Sequence, residues 1–569
     1  MKLTGKGAAP GAAVGSIFII EEKFNIPEKK ILLYGGELAH LEKYSYVKKE
    51  AVKKLKNLKS SMEKIDPVKA RIFDAHIEIV DDIIINEEIP AYISRDCWTG
   101  DYAIYHVYES AIETLRKTGD SLIAERAGDF DDIRAMLLRI WRGMESDSIP
   151  VIDSPCIIAV KELKPSDAAG FNKSNVLAIL TEKGGVTSHA AIIAKSYGIP
   201  AVFGIENLLQ NVKHGQNAAV DADEGVVILD PPYNVVTEYN NKSEIFRFDR
   251  ERAESFKYLD GRTSCGVKID IGLNIAGADE KDLAAAAYTD SVGVFRTEFL
   301  YMDRLTLPSE DEQFGVYREV LERFCRRPVI IRTLDIGGDK TINSMTLPDE
   351  DNPFLGNRAL RFCLSNPGIF RTQIRACLRA SIYGNLWIML PMVASLDDIR
   401  KAKEFIASVR SELDMENISY NEVKTGIMIE IPSIALIAGL AAKEVDFASI
   451  GSNDLCQYLC AADRMNIAVE SYYQSYHPAM FTLIKSVIDA FNKEGKPVSF
   501  CGELGSDPLA IPVLIGLGAR KLSMGSASVA VVKRAVASIT IEKAEEIAAK
   551  ALEMGTAGEI EKYLSNVDI

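Results

Sequence analysis

Apolar residues recur along this chain in three rhythms, and each change of rhythm marks a change of architecture. Residues 16–20 read as a strand behind a Gly/Ala-rich turn. From Leu41 the apolar positions fall three and four apart, at Tyr44, Val47, Ala51, Leu55, Leu58 and Met62, with lysines between them. That spacing predicts an amphipathic helix. Asp66-Pro67 supplies an N-cap and a first-turn proline for a second helix. This helix is expected to turn Ala70, Phe73, Ile77, Val80 and Ile84 inward. Further helices are expected over 101–117 and 131–145, set apart by Gly119-Asp120 and Gly128-Asp129.

Strand-like runs return at 156–160 and alternate with short helical segments as far as 226–229. Residues 1–20 and 147–230 therefore form one α/β domain, into which a helical bundle, 21–146, is inserted. A stretch opened by Pro231-Pro232 and filled with charges, 231–260, reads as a linker that is helical in its second half. From 261 to 569 the order is β then α, repeated, with strands expected at 268–275, 292–299, 329–336, 386–392, 426–431, 447–452, 497–501 and 521–524. Eight alternations over this length fit a (β/α)8 TIM barrel. A doubly wound sheet is the alternative, because spacing alone does not show closure.

Composition narrows the partners. A chain of 569 residues exceeds what one core supports. The formal net charge of −15 argues against a nucleic-acid partner and favours solubility or a basic protein partner. Nine cysteines without a CxxC pair or zinc spacing suggest reduced thiols in a cytoplasmic setting. Lys2 and Lys6 ahead of an apolar run imitate a signal peptide, but Pro10-Gly11 break the run and Glu21-Glu22 follow it, so a strand is expected. No apolar run approaches the roughly 18 residues of a membrane span.

Candidate chemistry begins at Gly184-Gly185-Val186-Thr187-Ser188-His189. An apolar run at 176–180, a two-glycine turn and the capping hydroxyls of Thr187 and Ser188 place His189 in the first turn of a helix ending at Gly198. Unpaired N–H groups and the helix dipole there favour an anion, which suits an imidazole that carries a phosphoryl group. A histidine at a helix start is ordinarily a capping feature. Of the six in this chain, however, only His189 is framed by a glycine turn and a hydroxyl pair.

The expected strand ends of the barrel carry Arg296, Arg332, Glu430, Asn453-Asp454 and Cys501, with Arg358 and Arg464 in following loops. One arginine at a strand end usually makes a surface ion pair. Several arginines, two carboxylates and an amide on one rim form a clamp for a doubly anionic substrate and a divalent metal. Glu430 and Asp454 are hard oxygen ligands of the number Mg²⁺ accepts while keeping water and substrate oxygens. Arg296, Arg332 and Arg464 can grip phosphate and carboxylate bidentately, and Asn453 can donate to the same anion. Cys501 is either a small buried hydrophobe or an acid that protonates carbon. In the helical insert, Asp74, Glu78, Asp81 and Asp82 form a solvated face or a docking surface for a basic protein.

These strings resemble the phosphoenolpyruvate–protein phosphotransferases (Enzyme I) of bacterial sugar phosphotransferase systems, a branch of the PEP-utilising enzymes. The similarity runs through residues 184–202, 295–304, 332–340, 352–358, 426–432, 451–455, 461–464 and 501–503. It implies a swivelling α/β phosphohistidine domain with an inserted α-helical bundle, followed by a TIM barrel. By that resemblance PEP phosphorylates His189, which passes the group to a histidine of the phosphocarrier HPr, while pyruvate is released. Arg296, Arg332, Asn453, Asp454 and Arg464 bind substrate, Glu430 and Asp454 hold Mg²⁺, Cys501 is the acid, and Arg358, Thr187 and Ser188 support. The resemblance also implies a homodimer through the barrel, HPr contacts at His76, Glu78, Asp81, Asp82 and Arg126, and a cytoplasmic location without nucleic acid or membrane insertion. The chain departs from the family at Val186 and Lys195, where Arg is frequent, and at Ala168, where a Thr bonds the active histidine. A dikinase or synthase of the same superfamily needs a large ATP-binding domain. Residues 21–145 are too short and too helical for one, and no GxxxxGK[ST] pattern occurs. A catalytically silent regulator is opposed by the intact His189, Arg296, Glu430 and Asp454.

Overall fold

Runs of Val, Ile and Ala buried on both faces build two separate sheets in the computed structural model of the chain. It describes residues 1–20, 26–32, 35–63, 72–117, 121–143, 154–163, 175–183, 194, 198–302, 304, 306–338, 340, 342, 345, 348 and 350–567. The chain divides into two compact units, Met1–Phe248 and Asp249–Ile569.

Among its described residues the first unit holds eight strands: β1 (Lys2–Thr4), β2 (Lys6–Ala9), β3 (Ala12–Ile20), β4 (Cys156–Val160), β5 (Val176–Thr181), β6 (Ala201–Phe203), β7 (Asn217–Asp221) and β8 (Val226–Leu229). Their spatial order is β1-β8-β7-β3-β4-β5-β6-β2, with β3 to β6 parallel and the flanking strands antiparallel. Side chains alternate between the two faces, as a period of two requires. Ile158, Val160 and Ile179 pack on one side, Ile157, Ala159, Ala178 and Leu180 on the other. The expected N-terminal turn is instead two short strands, and the strand expected from 16 starts at Ala12, because Ala12 to Ser16 pair with β7.

Among the described residues five helices fill the insertion: α1 (Glu37–Glu63), α2 (Ile72–Val80), α3 (Ile83–Ser94), α4 (Gly100–Lys117) and α5 (Ser121–Trp141). Tyr44, Val47, Ala51 and Leu55 are buried with Phe73 and Val80, as their spacing predicts. The second expected helix stops at Val80, however. Asp82 accepts from the Ile85 N–H at 3.0 Å and caps a new helix, which leaves Ile84 exposed rather than turned inward. The helix expected from 131 begins at Ser121 and runs through Gly128. One interior glycine costs about 1 kcal/mol, less than the burial of Ile133, Leu137, Leu138 and Trp141 returns. The turn expected at Asp66-Pro67 lies outside the described residues.

The stretch opened by Pro231-Pro232 is helical from Tyr233 to Glu254, so the helix expected in its second half is present but begins almost at once and fills the first half as well. Proline suits the first turn of a helix, and the N–H groups of Val235 and Val236 both bond the Pro232 carbonyl. Among the described residues no helix is long and apolar enough to cross a membrane.

In the second unit β9 (Asp270–Ile275), β10 (Ser291–Arg296), β11 (Pro328–Arg332), β12 (Asn385–Leu390), β13 (Lys424–Ile429), β14 (Ala448–Ile450), β15 (Val498–Phe500) and β16 (Lys521–Met524) form a closed parallel barrel. Pairing of Lys521 to Met524 with Asp270 to Leu273 closes it, which excludes the doubly wound sheet. Several strands end earlier than expected. β10 stops at Arg296 and β11 at Arg332, so Glu298 lies on a 3-10 turn, Thr297–Leu300, and Asp335 on a loop just beyond them.

The helix Glu310–Phe324 opens with a capping box between Ser309 and Glu312. The Ser309 backbone N–H, Arg304 at 2.6 Å and the Ser309 hydroxyl hold the Glu312 carboxyl down at about 2. A carboxyl pKa lowered by folding stabilises above its unfolded value, about 4.3, and that gain disappears as pH falls through the folded value. Glu312→Gln should therefore lower the thermal midpoint of the parent protein at pH 6–8. The gap should close as pH falls from about 4.3 towards 2. A gap that stays constant over that window would show that the charge is not what matters.

Candidate active site

A parallel barrel collects the C-terminal ends of all eight strands on one rim, and there the charged residues converge. Arg296 and Arg332 are the last residues of β10 and β11, Glu430 follows β13, and Cys501 follows β15. Asn453 and Asp454 occupy the first turn of the helix Ser452–Cys460, directly after β14.

The rim is held together by a buried ion-pair network. Arg332 reaches Glu298 at 2.5 Å and Asp335 at 3.1 Å. Lys340 joins the same two acids at 3.0 and 2.6 Å. Arg358, fully buried, bonds both Asp335 oxygens at 3.3 and 3.4 Å and reaches Asp454 at 3.3 Å. Arg464 lies 3.9 Å from the other Asp454 oxygen. Gly337, at φ +104°, lets the loop pass Arg358, because a Cβ there would come within 2.6 Å of the Arg358 Cβ. Tyr458 donates to the Phe354 carbonyl and receives a 3.4 Å contact from Arg358, so the Arg358 loop is tied to the helix that carries Asp454.

Electrostatics divide the acids into two kinds. Glu298 and Asp335 are fully buried, which by itself would raise their pKa. Arg332 and Lys340, joined by Arg358 at Asp335, outweigh that effect, and both remain carboxylates. Glu430 behaves in the opposite way. Burial and the neighbouring Asp454 and Asp335 carboxylates push it up to about 7, against the pull of Arg332 and Arg358. Its Oε1 accepts from the Met392 N–H at 2.6 Å. Among the described residues no group of three or more His, Cys, Asp or Glu converges as a metal cluster. The pair Glu430 and Asp454 does fit a cation that takes one or two carboxylates and fills its other positions with water and substrate oxygens. Their mutual repulsion is the mark of an acid pair short of positive charge.

Asn453 accepts from the Glu503 N–H at 3.0 Å through its side-chain oxygen, which turns its NH₂ end the other way. The Cys501 thiol lies 3.6 Å from the Ile450 carbonyl and is pushed up to about 11 by burial, so it stays protonated near neutral pH. Arg296 is exposed on the rim and close enough to Cys501 to oppose that rise.

His189, Thr187 and Ser188 lie outside the described residues, as do Ala168, Val186 and Lys195. In the insert, His76 is buried with Nε2 3.3 Å from Asp129, Asp81 pairs with Lys48 at 2.9 Å, Asp82 caps α3, and Glu78 is exposed. Asp74, from the same acidic set, pairs with Lys59 at 2.8 Å. Arg126 belongs to α5. Sequence reasoning gave no role to Glu298, Asp335 and Lys340, although the strings Arg-Thr-Glu-Phe and Asp-Ile-Gly-Gly-Asp-Lys contain them. Their signal was position. Each lies within eight residues of a rim arginine.

Three domain families match the chain: PEP-utilising enzyme, N-terminal, over residues 4–126; PEP-utilising enzyme, mobile domain, over 152–225; and PEP-utilising enzyme, PEP-binding domain, over 250–541. A phosphoenolpyruvate-protein phosphotransferase of Geobacillus stearothermophilus is 38% identical over 98% of this chain and 97% of its own. Proteins of the same name from Staphylococcus carnosus and Bacillus subtilis are 36% and 37% identical, each over 99% of both chains. With the closed barrel, its charged rim and all three domain matches in the expected order, the chain belongs to the PEP-utilising enzyme family.

Proposed function

We infer that this chain is a phosphoenolpyruvate–protein phosphotransferase, which moves the phosphoryl group of PEP to its own His189 and then to a histidine of an HPr-type phosphocarrier. The observation that carries this reading is the barrel rim. Arg332, Arg358 and Arg464 meet Asp454 and Glu430 within one linked network, a charge pattern suited to a small substrate bearing both phosphate and carboxylate. Full-length relatives of the same printed name support it.

In this mechanism Arg296, Arg332 and Arg464 hold the anion and Asn453 donates to it. Arg358 positions Asp454 from below. Glu430 and Asp454 would hold Mg²⁺, which when bound supplies positive charge to the phosphate and the departing enolate oxygen. The neutral imidazole of His189 attacks phosphorus in line, and the enolate of pyruvate leaves. Because such a transition state is loose, positioning and charge neutralisation provide most of the acceleration. The Cys501 thiol then gives its proton to the methylene carbon of the enolate, completing pyruvate.

The imidazole must visit both the rim and a separate carrier protein. We assign residues 1–20 and 147–230 to the phosphohistidine domain, 21–146 to carrier docking, 231–260 to the linker and 261–569 to PEP binding. With Asp81 and Arg126 as further contacts, docking on the insert would use the exposed Glu78 more directly than His76 and Asp82. Those two are engaged by burial and by capping. A homodimer through the barrel and a cytoplasmic location complete the reading.

Two experiments test it. With labelled PEP and Mg²⁺, the parent protein should gain one acid-labile phosphoryl group, and His189→Ala should gain none while keeping the far-UV circular dichroism of the parent. Label on the variant would remove His189 from its role. Cys501→Ala should leave phosphorylation of His189 measurable but slow pyruvate release by roughly 10²–10⁴. Pyruvate formation at the parent rate would show that the proton comes from elsewhere.

A further inference from the structure

Cys456 and Cys460 lie one turn apart on the helix Ser452–Cys460, with their sulfurs 4.0 Å from each other. Among the described residues no other two cysteines have their sulfurs in contact, and all nine are free thiols. Cys456 is fully buried, and Cys460, at the end of the helix, is partly exposed. One of the pair therefore meets solutes, and the other waits beside it.

The helix that carries this pair also builds the rim. Its first turn holds Asn453 and Asp454, and Asp454 faces Arg358 and Arg464. Gln457, between the two cysteines, anchors the segment from Ala461 to Arg464. Its carbonyl accepts from the Ala461 and Ala462 N–H groups, and its side-chain oxygen accepts from the Arg464 N–H at 3.1 Å. Ala461 closes the helix in the left-handed region at φ 50°. Arg464 is thus placed by the last turn, the turn that the two thiols span.

We propose that Cys456 and Cys460 are a reversible dithiol–disulfide modification site, oxidised by low-molecular-weight disulfides, whose closure displaces Arg464 and Asp454 and turns the rim off. This rests on the function proposed above. The sulfur of the partly exposed Cys460 attacks one sulfur of the small disulfide, forming a mixed disulfide and releasing one small thiol. Cys456 then attacks the Cys460 sulfur, forming the internal bond and releasing the second. Two protons and two electrons pass from the pair to the oxidant, which becomes two small thiols.

Closure deforms the helix for a geometric reason. Residues four apart on a helix have Cβ atoms about 5–6 Å apart, whereas a disulfide requires about 3.5–4.5 Å. The last turn must tighten by about 1 Å or more, and Gln457 transmits that change to Arg464. A misplacement of that size at a charge-positioning residue costs up to about 10²-fold in rate. A bond formed against this geometry is readily reduced, which makes the modification reversible.

The test treats the full chain with oxidised glutathione, then reads the 456–460 peptide by mass spectrometry and the rate of PEP-dependent phosphorylation. The parent should show an internal 456–460 bridge and a rate loss of roughly ten- to hundredfold, both reversed by dithiothreitol. Cys460→Ala, and separately Cys456→Ser, should keep the parent rate before and after treatment. Absence of the bridge, a bridge with an unchanged rate, or an equal loss in both variants overturns the proposal, and the last result would point to Cys501. If PEP does not phosphorylate the reduced parent at all, the function proposed above fails, and the peptide map alone then decides whether the thiol pair closes.

Discussion

Arg358 is a cation with no exposed surface, and the mouth of the barrel is arranged around keeping it paired. Removing a guanidinium from water costs several kcal/mol, which only well-placed anions offset. Asp335 meets it along one edge and Asp454 at one tip. Asp335 is also shared with Arg332 and Lys340, and both of these share Glu298. Such a network contributes little net stability compared with an apolar core. What it does provide is fixed position. Arg332 and Arg358 are already oriented by the acids behind them, so an incoming anion meets donors there that need no rearrangement.

That arrangement also explains why the rim acids fall into two kinds. Glu298 and Asp335 are each matched by two or more cations and stay ionised. Glu430 stands against other carboxylates, is contacted by a backbone N–H, and is pushed up to about 7. The imbalance lies where two strand-end carboxylates from β13 and β14 approach each other. One positive ion there would relieve it. The charge pattern built by the protein is therefore asymmetric, with cations preassembled for an anion and acids left short of a cation.

Much of this was legible in the order of residues. The barrel strands are short, largely apolar runs separated by helical segments, and a parallel barrel delivers the residue at each strand end to one rim, so Arg296, Arg332, Glu430 and Cys501 could be placed together from the chain alone. Pairing was less legible. Nothing in local spacing says that Lys340, 42 residues from Glu298, shares that carboxylate with Arg332. Local boundaries also misled where a polar residue served two roles. Asp82 looked like one more exposed acid on a continuous helix, yet its side chain starts the next one. Gly128 looked like a break and is carried inside α5, because the apolar residues beyond it outweigh its backbone cost. The prolines at 231–232 read as linker punctuation, but they initiate a helix.

On the function proposed above, a rim built in this way is a preassembled cup for a dianion and a divalent cation. A crystal structure of the full chain soaked with Mg²⁺ and an unreactive analogue of PEP tests that directly. The anion should lie against Arg296, Arg332 and Arg464, with the cation between Glu430 and Asp454. An analogue bound elsewhere, or bound at the rim with Glu430 turned away from the cation, would show that the cup is not assembled for this pair.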